Sequence, residues 1–236
     1  MAVTTARPLQ HADQTTRVEY LKRVALLTVL GLFASIATGT LSAGAVAVLP
    51  FLQSRVMSAV IILGSYGIAQ FLAPRMVFSN SASTRWLGFG VGSIFQGIAM
   101  GYLLLSAVVL GAQLGNPLLL VTEAMALTGV TALGMVVYLW SNPKELSMVR
   151  AGLSMLFLPM LLLMGISFVF PIGGPIGMII AGVFVLISAA GLLYQVNTVL
   201  HKLRSDMYVQ GAYMVTMGVL ILFWNLLVLI MRLQRR

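Results

Sequence analysis

The chain alternates long apolar stretches with short breaks marked by proline, glycine and clustered polar residues. Seven stretches, roughly 22–49, 56–73, 86–110, 117–140, 146–169, 175–200 and 208–231, reach the length of about 20 residues that a helix needs to cross bilayer hydrocarbon. Pro50 ends the first. Pro74-Arg75 ends the second, and a polar run from Ser79 to Arg85 follows it. Gly115-Asn116-Pro117, Ser141 to Glu145, Pro171 to Pro175 and His201 to Asp206 separate the rest. Lipid offers no hydrogen bonds, so each crossing must satisfy its own backbone, and the unbroken apolar runs exclude a sheet. The pattern predicts an all-α integral membrane protein, one seven-transmembrane-helix bundle over 21–236 behind a polar N-terminal arm over 1–20. The connections leave no room for a folded domain outside the membrane. Span three carries glycine on several faces and is the candidate for the central helix.

Composition agrees: 60% of residues are hydrophobic and 8% charged, with mean hydropathy +1.02, whereas soluble domains carry about 25% charged residues. The placement of the charges sets an expected orientation. Arg7, Arg17, Lys22, Arg23, Arg75, Arg85, Lys144, Arg150, Lys202 and Arg204 fall on the N-terminal arm and alternate connections, and only Arg55 falls in the others. The positive-inside rule then puts the N-terminus in the cytoplasm and, after seven crossings, the C-terminus outside. Arg232, Arg235 and Arg236 run against this count. Either the earlier spans override them or the last segment re-enters, and seven crossings is the preferred reading. Residues 1–19 lack the apolar core of a signal peptide. The net charge of +9 reads as a cytoplasmic face beside anionic headgroups rather than a nucleic-acid surface, because no nucleic-acid motif accompanies it.

Candidate chemistry is sparse. There is no cysteine; the acids are Asp13, Glu19, Glu123, Glu145 and Asp206, and the histidines His11 and His201. No paired nucleophile and base, no metal-ligand spacing and no hydrolase motif is present, so neither catalysis nor a metal or other cofactor is expected. Glu123 alone lies within a span, about two turns from its outer end, where an unpaired carboxylate costs a few kcal/mol. It is either a cation- or proton-sensing acid lining a wet cavity, or a protonated or interface-reaching side chain. Span six closes with Tyr194, Gln195, Asn197, Thr198 and His201, several of them along one helix face. Span seven adds Gln210, Tyr213, Thr216 and Asn225. These residues form either a hydrated pocket or interhelical hydrogen bonds worth ~0.6 kcal/mol each. Gly88-x-x-x-Gly92 and Gly97-x-x-x-Gly101 on span three, and Ser35-x-x-x-Gly39 on span one, are spacings that let helix backbones approach.

Val183 through His201, then Tyr208-Val209 and Phe223-x-Asn225-Leu226-Leu227, resemble the end of the Bax inhibitor-1 family. The likeness is strongest to the bacterial branch that interacts with a membrane-anchored AAA protease. Gly64-Ser65-Tyr66-Gly67, Gly97-x-x-x-Gly101 and Ala124-Met125-Ala126-Leu127 agree upstream. The resemblance implies six helices around a central hydrophobic one, a cytoplasmic N-terminus and a bacterial cytoplasmic membrane. Members are associated with calcium or proton leak and with protection from cell death, and the bacterial branch with restraint of membrane proteolysis. Calcium-leak members carry an acid near the end of span six and another in the last span. This chain has Gln195 and Gly218 at those positions. The expected function is therefore non-enzymatic binding to another integral membrane protein or complex, surrounded by membrane lipids and without nucleic acid. The alternatives are a cation leak channel or transporter and a structural subunit of an energy-converting complex.

Overall fold

The computed structural model describes residues 13–141 and 174–235. Its long helices are α1 (Gln14–Val48), α2 (Arg55–Val77), α3 (Ala82–Gln113), α4 (Leu119–Ser141), α5 (Gly174–His201) and α6 (Tyr208–Gln234). All six are long and apolar enough to cross a membrane, and no strand occurs among the described residues. The expected span over 146–169, together with Lys144, Glu145 and Arg150, lies outside the described residues, as do residues 1–12.

Two expected boundaries shift. α1 begins at Gln14, so the second part of the stretch read as an arm is helical, and Tyr20 is only 2% exposed. α2 does not stop before Pro74 but continues to Val77. The reason lies in one turn and a distant donor. Residues Ile68–Leu72 form a π turn, in which the Ala73 N–H bonds the Ile68 carbonyl. That leaves the Ala69 carbonyl without its usual donor, and Pro74, next in the π register, has no N–H to give. The Tyr213 hydroxyl of α6 donates to it instead.

α1 and α3 run parallel and meet through a ladder of hydroxyls. Ser35 donates to the Ser93 carbonyl at 2.8 Å, Thr38 to Ile94 at 3.2 Å and Ser42 to Ile98 at 3.2 Å. Gly97 and Gly101 lie on this seam, where any Cβ would collide with Ser35, Thr38 or Ser42. On another face of α3, Gly88 lies against Met76 and Val77 of α2, and Gly92 against Tyr213 and Ala73. Both glycine pairs therefore serve packing inside this chain.

The centre is α6, not span three. Half of the α6 apolar window is buried, against 39% for α3, and α6 alone packs on every other described helix. α3 is committed mainly to α1 and α2, so its opposite flank remains outside. α4 is antiparallel to α6: Leu120 and Ala124 cluster with Leu227, Ile230 and Met231, whereas Leu139 clusters with Leu222. α5 and α6 form an antiparallel hairpin, so α4 and α5 are parallel to each other.

Candidate functional site

The interior of this bundle is polar in patches. Among the residues singled out on α5, Asn197 alone is fully buried, at 1% exposure. Thr198 and His201 turn back on their own helix: Thr198 Oγ1 donates to the Tyr194 carbonyl at 2.9 Å, and His201 Nδ1 lies 3.1 Å from the Asn197 carbonyl. Tyr194 is half-buried. Both amide atoms of Asn197 are buried without a hydrogen-bond partner among the described residues. So is Gln195 Oε1, which rests against Gly218 of α6. α6 contributes Gln210 and Thr216, at 3% and 0% exposure, with Gln210 Oε1 and Thr216 Oγ1 also unpartnered among the described residues. Asn225 instead donates to the Ile221 carbonyl of its own helix.

Glu123 does not join this group. It lies beside Leu120 and Ala124, which pack near the C-terminal end of α6, and its half-exposed carboxylate has no ion-pair partner among the described residues. The acid and the α5 polar group therefore occupy different levels of the bundle.

Two glutamines form a second buried polar contact, of which their spacing gave no sign. Gln70, in the π turn of α2, donates to Gln96 Oε1 of α3 at 3.2 Å. Gln96 is fully buried, and its own Nε2 and the nearby Ser93 Oγ have no further partner among the described residues. The available signal was position: Gln96 precedes Gly97 and follows Gly92 by one helical turn, on the face along which α3 is buried.

Beyond the polar interior, one end of the bundle gathers charge. The Arg23 guanidinium lies 5.5 Å from the Tyr208 ring centre, within cation–π range. Trp86 meets the same ring edge-on at 6.4 Å. Arg85, Trp86, Asp206 and Tyr208 line a pocket of about 170 Å³. Arg204 pairs with Asp206 at 3.0 Å and Arg23 with Glu19 at 2.5 Å, both exposed, so each pair adds under ~1 kcal/mol. Among the described residues no three histidine or acidic side chains converge on a point.

A model of the family described as inhibitor of apoptosis-promoting Bax1 matches residues 17–236. The chain belongs to the Bax inhibitor-1 family. No curated protein and no solved structure matches it. As a Bax inhibitor-1 protein it is a multi-pass membrane protein. Gln195 and Gly218, the positions that the resemblance sets against the acids of calcium-leak members, are in contact here. A carboxamide and a bare backbone meet there, and neither takes a negative charge at any accessible pH.

Proposed function

We propose that this Bax inhibitor-1 protein is a non-enzymatic membrane protein that acts by binding another integral membrane protein or complex, with a membrane-anchored AAA protease assembly as the specific candidate. The observation that carries this reading is the neutral contact between Gln195 and Gly218. It removes the charged pair through which a pH-gated leak would work. The bundle also presents a wide apolar surface, with Leu26, Phe33, Leu133 and Leu186 all more than 60% exposed. Lipid covers such a surface by default, and a partner helix can replace lipid on it through close packing. The test is co-purification from bacterial membranes in mild detergent, followed by crosslinking and mass spectrometry. A reproducible membrane-protein partner is expected; a clean monomer in several detergents overturns the reading.

The same reading includes seven crossings of a bacterial inner membrane, with the N-terminus in the cytoplasm and the C-terminus outside. Parallel α4 and α5 leave Ser141 and Gly174 at opposite ends of the bundle, which calls for one more crossing between them. Residues 146–169 are the apolar stretch with the length for it. The orientation is supported by the end that carries Arg23, Arg85 and Arg204 together.

A second reading, cation or proton leak, is favoured by the unpartnered atoms of Ser93, Gln96, Asn197, Gln210 and Thr216. Buried polar atoms of this kind are costly without a partner and offer ligands to water or a cation. Ion flux into proteoliposomes equal to that of empty vesicles removes this alternative.

A further inference from the structure

The outer end of the α1–α2–α3 group, opposite the basic end, holds a cleft of about 410 Å³. Leu41, Ala45 and Val46 of α1, Leu52 of the following 3₁₀ turn, Ile61 of α2, and Ile98 of α3 form its walls. Three hydroxyls also border it, and all three are already committed. Thr38 donates to the Ala34 and Ile94 carbonyls, Ser42 to Ile98 and Tyr102 to Leu52, at 2.8, 3.2, 3.2 and 3.1 Å respectively. The cleft therefore has almost nothing polar to offer and accepts only hydrocarbon.

Its mouth is different. The turn beside it is pinned, with Gln53 Nε2 donating to the Val46 carbonyl at 3.1 Å and Ser54 Oγ accepting from the Met57 N–H at 3.2 Å. Directly after it comes Arg55, exposed and without an ion-pair partner among the described residues. Ile61, on the cleft wall, is six residues further along the same helix, or about 9 Å deeper. Arg55 does not line the cleft, but it follows the lining residue Leu52 by three positions, and an exposed cation above an apolar slot suits a molecule with an anionic head and a hydrocarbon tail.

We propose that this cleft is a phospholipid site, with one acyl chain between α1, α2 and α3 and the lipid phosphate on the Arg55 guanidinium. The cation beside an apolar slot favours an anionic-headed lipid over a purely apolar partner helix. The hydrocarbon itself gains little by leaving bulk lipid, since both surroundings are apolar. Selectivity then comes from the fit of the chain and from the phosphate contact.

The full chain, in vesicles of phosphatidylethanolamine and phosphatidylglycerol whose lipids carry a photoreactive acyl chain, gives the direct test. Crosslinks are expected to concentrate on residues 38–46, 61 and 98–102. Native mass spectrometry of the purified protein reads retained lipid. Ala45→Trp, which fills the slot, is expected to lower retention about tenfold. Arg55→Gln is expected to lower it about fivefold, the weight of one basic residue near anionic headgroups. Leu186→Trp, on an exposed face of α5, should leave it unchanged. The proposal is overturned by crosslinks spread evenly around the bundle, or by another polypeptide or a second copy crosslinked at these residues in place of lipid. Equal retention in Ala45→Trp and the unaltered chain overturns it as well. The crosslinking arm uses the unaltered chain, so a folding defect in a variant does not blunt the test.

Discussion

The carboxamide oxygen of Gln195 occupies the space that a side chain on residue 218 would need. The long side chain of α5 and the missing side chain of α6 are thus complementary, and each position constrains what the other can be. Gly218→Ala gains about 1 kcal/mol of helix propensity but forces Gln195 out of its place and presses on Leu192 Cδ1 at 2.8 Å. The expected result is little or no net gain from Gly218→Ala alone and a clear gain in a Gln195→Ala background. The coupling should be about 1 kcal/mol, read from unfolding in detergent as a double-mutant cycle.

Tyr213 and Pro74 should be coupled in a similar way. Tyr213→Phe leaves the Ala69 carbonyl buried with no donor, at a cost of about 1–3 kcal/mol. Pro74→Ala restores an N–H in the π register and should recover part of that loss. Thermal unfolding of the two single variants and the double variant checks this, and additive effects would mean that Ala69 is satisfied some other way.

Glycines on α3 should divide by what faces them. Gly97→Ala places a Cβ against the Ser35 carbonyl and Thr38, and a backbone carbonyl cannot swing away. It should cost ~2–3 kcal/mol or more. Gly90→Ala meets nothing within 4 Å and should be neutral or slightly stabilising. Yield and melting temperature of the two variants give the comparison.

Glu123 is expected to tolerate neutralisation. It has no ion-pair partner among the described residues and lies far from the α5 polar group, so Glu123→Gln should change stability by less than ~0.5 kcal/mol and leave partner capture intact. Loss of a captured partner in this variant would show that the acid belongs to an interface.

Because the chain contains no cysteine, single cysteines report orientation directly. Ser205→Cys, in the α5–α6 turn, should react only with reagents that enter the cytoplasm. Asn116→Cys, between α3 and α4, should react from outside. The reverse pattern overturns the proposed orientation.

Six of the seven expected spans, and the arginines gathered at one end, were legible because they follow from solvent. Lipid rejects charge and unpaired backbone whatever the neighbouring helix is, so counting along the chain suffices. Which helix sits at the centre was not legible. In lipid both the inside and the outside of a bundle are apolar, so the pattern that orients a helix in water is weak here, and glycine content pointed to α3 when α6 is the buried one. The end of α2 was misplaced for a related reason. Proline implies a helix end when only local donors are considered, but a tyrosine 144 residues beyond Ala69 supplies the bond that the Ala69 carbonyl lacks. The glycine spacings announced close approach without naming the partner. Gln70 meeting Gln96, Gln195 meeting Gly218 and the Ser35–Thr38–Ser42 ladder depend on how each helix is rotated against the next. That rotation is a property of the packed bundle, settled by shape and by pairing of polar groups across helices, and the order of residues in any one helix does not contain it.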